Sequence, residues 1–249
     1  MARSLWNLYA LCYDAIAGLA PYQDMLDEVV EALELLPGMR VLDAGCGTGA
    51  LADRIATRYP AVELVAVDLS PTMLGRARAR RPWPGGFRFV EARIDDYLGA
   101  DTGGFDRIAS VNVIWTLSDP QRTFLRMAEA LRPAGRMVHA TPRLRFGAVR
   151  IAWNHVARQK GWAKLWAVLR LPLLGLAGLL NLVLVARAML SPSARHRGER
   201  WDAKGLERLL HGAGATVSLS RPCYAGQGHL LVCAKTEDST RLPGPRKDL

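Results

Sequence analysis

Val41-Leu42-Asp43-Ala44-Gly45-Cys46-Gly47-Thr48-Gly49 is the stretch on which the reading of this 249-residue chain turns. Val41 and Leu42 continue an apolar run from Met39, the pattern of a short buried strand, and residues 50–59 carry helical spacing. A glycine-rich turn between a strand and a helix lets the chain reverse sharply and lets a ligand approach the backbone closely. The spacing is GxGxG, not the GxGxxG of dinucleotide pyrophosphate binders, and no Gly-Lys-Ser/Thr follows, so a P-loop is excluded. Asp43, just ahead of the glycines, would repel a pyrophosphate and suits a cationic ligand. The next apolar run, residues 63–68, ends in Asp68, 19 residues after Gly49. A carboxylate there can accept hydrogen bonds from both hydroxyls of a ribose.

Outward from this loop the chain alternates strand and helix patterns. Apolar runs at 39–43, 63–68, 87–91, 105–112 and 135–140 are separated by helical stretches at 24–36, 50–59, 71–80 and 120–131. Ser70 stands at the N-cap of the 71–80 helix, with Pro71 in its first turn. A helix at 202–211 precedes two strands, 216–220 and 229–234, with no helix between them, which predicts an antiparallel hairpin at the sheet edge. The fold class predicted is α/β: a Rossmann-like, largely parallel sheet of seven strands, covered on both faces.

Half the residues are hydrophobic and 22% are charged, which excludes a disordered chain and argues against a polytopic membrane protein. The four cysteines, Cys12, Cys46, Cys223 and Cys233, form no CxxC pair, so a disulfide scaffold or zinc site is not expected and a reducing compartment is. The N-terminus lacks the clean apolar core and cleavage site of a signal peptide. The last fourteen residues, 236–249, are polar and rich in proline and charge, the composition of a disordered tail.

The chain holds 33 Lys and Arg against 23 Asp and Glu, a net of +10. That excess is local. Residues 143–200 contain eleven basic side chains and one acid, Glu199, so the other 191 residues are neutral overall. The same segment holds Trp153, Trp162, Trp166 and the longest apolar run, residues 171–186. Sixteen helical residues reach roughly 24 Å at about 1.5 Å each. A hydrocarbon core is about 30 Å thick, so a spanning helix is not expected. Tryptophans at helical spacing among Arg150, Arg158 and Lys164 fit basic amphipathic helices at an anionic membrane surface. Each cation would contribute about 1 kcal/mol near an anionic leaflet. A lid over a soluble hydrophobic substrate and plain packing at a dimer interface are the alternatives. Nucleic acid is not the expected partner, because it would leave the leucine-rich run unexplained.

These residues resemble the class I S-adenosylmethionine-dependent methyltransferases, similar to those of phospholipid and ubiquinone biosynthesis. The likeness runs over residues 5–142 and 201–235, through VLDAGCGTG, the acid-ended VAVDLSPTML and the stretch from Phe105 to Val138, in family order. It implies S-adenosylmethionine as cofactor and a division into an N-terminal helical cap (1–36), a cofactor-binding core (37–142), a helical substrate or membrane insertion (143–200), a core completion (201–235) and the tail. Gly45, Cys46, Gly47 and Gly49 would then pass under the methionyl part, with Asp43 near its ammonium. Asp68 would hold the ribose, and Leu69 and Met73 would flank the adenine. Asn112 would lie beside the cofactor on the substrate side. Tyr9 and Tyr13 fall where an N-terminal helix often closes over the site, although packing alone would also explain them. Many relatives place Gly-Asp-Ala after the third strand. Here Arg93 stands in that position, and it cannot accept a hydrogen bond. Ile94 and Asp95 would have to serve the adenine.

Methyl transfer from a sulfonium asks the protein mainly for alignment and exclusion of water. A phenol or enol acceptor also needs a base, whereas an amine needs only to be neutral. His139, at the end of the fifth strand, is the best-placed base, with Tyr9 a second catalytic candidate; no metal cluster is visible. The expected activity is methylation of a lipid or lipid-like acceptor by a peripheral protein on the cytoplasmic membrane face. A polar-lipid amine is the leading acceptor, with O- or C-methylation of a prenylated quinone or hydrophobic natural product as the alternative. A non-catalytic membrane-binding protein on the same scaffold is the third possibility.

Overall fold

The computed structural model describes residues 10, 13–14, 16–100, 104–143, 147–169, 172, 175, 179, 183 and 202–235. Tyr9, most of the 171–186 run and the 236–249 tail therefore lie outside the described residues. The elements are α1 (Ala20–Leu33), β1 (Arg40–Ala44), α2 (Ala50–Arg58), β2 (Glu63–Asp68), α3 (Pro71–Ala79), β3 (Phe87–Glu91) and α4 (Ile94–Ala100). They continue with β4 (Phe105–Val111), a 3-10 turn (Ile114–Thr116), α5 (Pro120–Ala130), β5 (Leu131–Pro142), α6 (Ala148–Arg158), α7 (Gly161–Leu169), α8 (Ala203–Gly212), β6 (Ala215–Cys223) and β7 (Gly228–Lys235).

The sheet has seven strands in the order β3-β2-β1-β4-β5-β7-β6. β1 to β5 are mutually parallel, and β7 runs antiparallel between β5 and β6. The expected hairpin is present, with its second strand inside the sheet and β6 at the edge. Strand order reverses at β1 and β4, which opens a crevice at their carboxyl ends, the place where open α/β sheets bind ligands.

Alternation along each strand divides the core. Val41, Ala109, Val111, Val138, Ala140, Leu230 and Val232 face α1 and α2, whose Met25, Leu26, Val29, Leu33 and Ile55 are fully buried. Leu42, Ala44, Ile108, Met137, Leu231 and Cys233 face the other way, onto Phe124 and Met127 of α5 and Leu206 and Leu210 of α8. α1 begins at Ala20, four residues before the expected start, because Pro21 occupies its first turn. It ends where Glu34 turns left-handed at φ 47°. α4 was not foreseen. Seven residues give too short a period to read, although Asp95 and Asp96 in its first turn suit a helix N-terminus.

From the carboxyl end of β5 the chain enters α6 and α7. Ile151 and Val156 are buried, and Ile151 joins the α1 side of the core. The opposite faces stay open: Trp153 is 71% exposed, Trp162 79% and Trp166 61%, with Val149, Leu165 and Leu169 beside them. No helix among the described residues is long and apolar enough to cross a membrane.

Candidate functional site

The glycine loop is fixed first by the backbone. Gly45 and Cys46 both donate to the Val67 carbonyl of β2, at 2.8 and 3.0 Å, which folds the loop over the strand end. Gly45 sits at φ +79°, and a Cβ there would lie 2.4 Å from a methyl of Val113. Gly47, at φ +54°, faces the ring of Tyr13, which would stand 3.7 Å from a Cβ at that position. Gly49, also left-handed, caps α2. Gly45 needs glycine on both counts, conformation and the approach of Val113, and Gly47 needs it for its left-handed conformation.

Asp68 closes the loop from the other side. One carboxylate oxygen accepts from the Gly47 N–H at 2.8 Å and the other from the Ser70 N–H at 2.8 Å. Burial raises its carboxyl pKa, and these backbone donors oppose the rise. Ser70 caps α3 by accepting from the Met73 N–H. Met73 is buried beneath Ala10, Tyr13 and Ile16, while Leu69 is part-exposed at the strand end.

Two buried polar atoms at the crevice have no hydrogen-bond partner: Oδ2 of Asp43 and Oδ1 of Asn112. Burial, and after it the charge of Asp68, push the Asp43 carboxyl up to about 7. Asn112 takes φ +57° just past β4, and its side chain hydrogen-bonds the Tyr13 phenol. Burial and the neighbouring Tyr22 hold that phenol neutral, well above its ordinary range. The Tyr13 and Tyr22 hydroxyls lie 2.6 Å apart. Asp14 anchors the same segment by accepting from Arg76 Nε (2.9 Å) and Arg80 (3.0 Å), and Arg80 also donates to the Thr48 carbonyl.

The structure thus brings together Tyr13, Asp43, Gly45, Cys46, Gly47, Gly49, Asp68, Met73 and Asn112. Cys46 is buried and its thiol is pushed well up by burial, so it is packing rather than a nucleophile. Ile94 opens α4 and packs against the α5 side of the core. Asp95 accepts from the Thr123 hydroxyl of α5 at 2.7 Å, so one of its oxygens already serves the core. Arg93 points to Ser118.

His139 sits elsewhere. It is completely buried on the α5 face of the sheet, edge-on to Phe124 with ring centroids 4.9 Å apart. Asp43 belongs to the opposite face. Burial lowers the His139 pKa to about 4, which keeps it neutral, and neither ring nitrogen has a side-chain partner. A histidine sealed in this way does not open toward an acceptor. Sequence reasoning missed Tyr22, Asp14, Arg76 and Arg80, whose partners lie far away in the chain. Among the described residues, no group of acids, histidines and cysteines could hold a metal.

The sheet order, the glycine cradle and the acid closing it define a class I S-adenosylmethionine-dependent methyltransferase fold. Residues 41–135 match the family described as methyltransferase domain. It is 30% identical over 148 residues to a malonyl-acyl-carrier-protein O-methyltransferase of Laribacter hongkongensis, covering 56% of this chain and 49% of that one. Among solved structures, a chain of the complex containing the Haloferax volcanii Trm112 methyltransferase activator superposes with a TM-score of 0.63 at 16% identity, over 92% of this chain and 96% of that one. Magnesium protoporphyrin IX methyltransferase from Synechocystis PCC 6803, with bound S-adenosylhomocysteine, gives 0.56 at 15% identity, over 86% and 83%. The chain spans less than half the length of the curated relatives it matches.

The cofactor is S-adenosylmethionine, and the residues present fit it. The unpartnered Asp43 and Asn112 oxygens suit its ammonium and polar groups, the glycines leave backbone room, and Asp68 suits a ribose. Affinity should then depend on pH. An Asp43 carboxyl raised to about 7 is protonated below that value, and a cationic ammonium selects the ionised form. Affinity is expected to fall about tenfold per pH unit between pH 7 and pH 5. Isothermal titration should show that slope in the natural protein and its loss near pH 7 in Asp43→Asn. An equal slope in the variant would assign the proton to another group.

Proposed function

We propose that this protein transfers the methyl group of S-adenosylmethionine to a lipid or lipid-like acceptor while bound peripherally to an anionic membrane surface. A polar-lipid amine is the leading acceptor. The observation that carries the reading is the open face of α6 and α7, where Trp153, Trp162, Trp166 and Leu169 stand beside Arg150, Lys160 and Lys164. These helices leave the same sheet edge that holds the glycine loop. Indoles beside cations suit the boundary between headgroups and acyl chains.

The acceptor chemistry follows from the groups at the crevice. The sulfonium supplies an electrophilic methyl group, so the chain has to hold the cofactor, admit the acceptor in line and exclude water. Tyr13 and Met73 form an apolar cover on one side, and Asn112 and Val113 line the β4 side. His139 is sealed, and His155 accepts from the Ala20 N–H through Nδ1, so neither is free to act as a base. An amine that arrives neutral needs no base, whereas an enol or phenol does. The experiment uses vesicles of phosphatidylethanolamine and phosphatidylglycerol with methyl-tritiated S-adenosylmethionine. Label extracted with the lipid, as a headgroup one CH₂ heavier, is the expected result. Label that stays wholly in the aqueous phase, with these vesicles and with a total lipid extract of the producing cells, overturns it.

A further inference from the structure

The geometry points to Tyr22 as a positioning residue that couples the membrane-facing helices to closure of the cofactor crevice. This rests on the membrane reading above and adds to it a route and a sign: bilayer binding tightens cofactor binding, and cofactor tightens bilayer binding.

Tyr22 is buried in the first turn of α1 and works in two directions. Toward the site, its hydroxyl meets that of Tyr13 at 2.6 Å and the two rings stand edge to face, 6.3 Å apart. Tyr13 in turn covers Gly47 and bonds Asn112. Away from the site, Tyr22 packs edge to face on Tyr224, 6.0 Å away, in the turn between β6 and β7.

Both ends of α6 grip this unit. At its start, the Gly147 N–H donates to the Gln227 side chain at 2.8 Å, and the Gln227 N–H donates to the Tyr224 carbonyl. Toward its end, His155 Nδ1 accepts from the Ala20 N–H at 3.1 Å, and Arg158 pairs with Asp24. Ala20 and Asp24 flank Tyr22 on either side. The Ala20 N–H is one of the helix-start donors that α1 cannot satisfy internally, so α6 completes the helix that carries Tyr22. The outer face of the same α6 exposes Val149 and Trp153. A bilayer that holds this face therefore holds α6, and with it α1, Tyr22 and the Tyr13 cover.

The two states are the Tyr13 segment docked, as described, and released from Gly47. A ligand shifts that balance only through contacts that differ between the states. The cofactor meets the docked cover on one side and the bilayer reaches it through α6 on the other. Linkage then requires equal factors in both directions, and about fivefold is expected.

The test measures S-adenosylhomocysteine affinity by isothermal titration with and without phosphatidylglycerol–phosphatidylcholine vesicles, then vesicle affinity with and without S-adenosylhomocysteine. Both are expected to rise by the same factor. Tyr22→Phe keeps the ring contact with Tyr224 and removes the hydroxyl pair. It should bind vesicles as before and lose the coupling, with a melting midpoint lowered by no more than a few degrees. Arg158→Ala, a surface substitution, should weaken the coupling without touching the tyrosines. Vesicles that bind the natural protein but leave its S-adenosylhomocysteine affinity unchanged overturn the coupling alone. Coupling that survives in Tyr22→Phe overturns the role of Tyr22. Absence of vesicle binding sinks the membrane reading itself.

Discussion

Asp68→Ala is expected to weaken S-adenosylmethionine binding at least a hundredfold, measured by isothermal titration at pH 7.5. The carboxylate accepts from the Gly47 and Ser70 backbone N–H groups, so it fixes the glycine loop as well as standing where it could hold a ribose. Hydrogen bonds to a charged group contribute about 1.5–3 kcal/mol each. Losing the two that it would accept from the ribose hydroxyls amounts to about 3 kcal/mol or more, and a tenfold change in affinity corresponds to about 1.4 kcal/mol. Asp68→Asn keeps one acceptor and turns an amide N–H toward a backbone donor, so it should lie between alanine and the natural residue. A titration in which Asp68→Ala binds normally would remove the cofactor assignment from this loop.

Replacing Trp153, Trp162 and Trp166 together with alanine should abolish vesicle binding and leave the fold intact. All three indoles are more than half exposed, so the core loses little and the melting midpoint should move by no more than a few degrees. An apolar side chain withdrawn from water is worth about 2 kcal/mol. Three of them correspond to a loss of partitioning on the order of 10⁴. The cations remain in the variant, but their attraction is screened at physiological salt. Co-sedimentation with phosphatidylglycerol-containing vesicles at low and physiological salt separates the two contributions. Full binding by the triple variant would mean that this face does not enter the lipid.

The loop and its acid were legible in the sequence because their chemistry is local. A left-handed turn after a strand, a carboxylate at the next strand end and Ser70 before Pro71 each leave a signature within a few residues. Helices α6 and α7 were legible through tryptophans and cations at helical spacing. His139 was harder to place. Alternation puts it with Met137 and against Val138, but which of those faces meets Asp43 is set by pairing of β4 with β1 and β5. That register is absent from any single strand's pattern. The tyrosine ladder was illegible for a similar reason. Tyr22 reads as an ordinary core residue until the β6–β7 turn brings Tyr224 beside it from the far end of the chain. Asp95 was expected to serve the adenine, and α4 turns one of its oxygens toward Thr123.

The antiparallel β7 also sets a timetable for synthesis. β5 is complete at Pro142, yet the neighbour that pairs with it begins only at Gly228. At the ordinary pace of a ribosome that interval is roughly ten seconds. Throughout it, a newly made sheet presents an open edge while the apolar, basic insertion is emerging. A membrane that receives the insertion early would keep it from that edge, so the segment proposed to locate the finished protein would also protect the unfinished one.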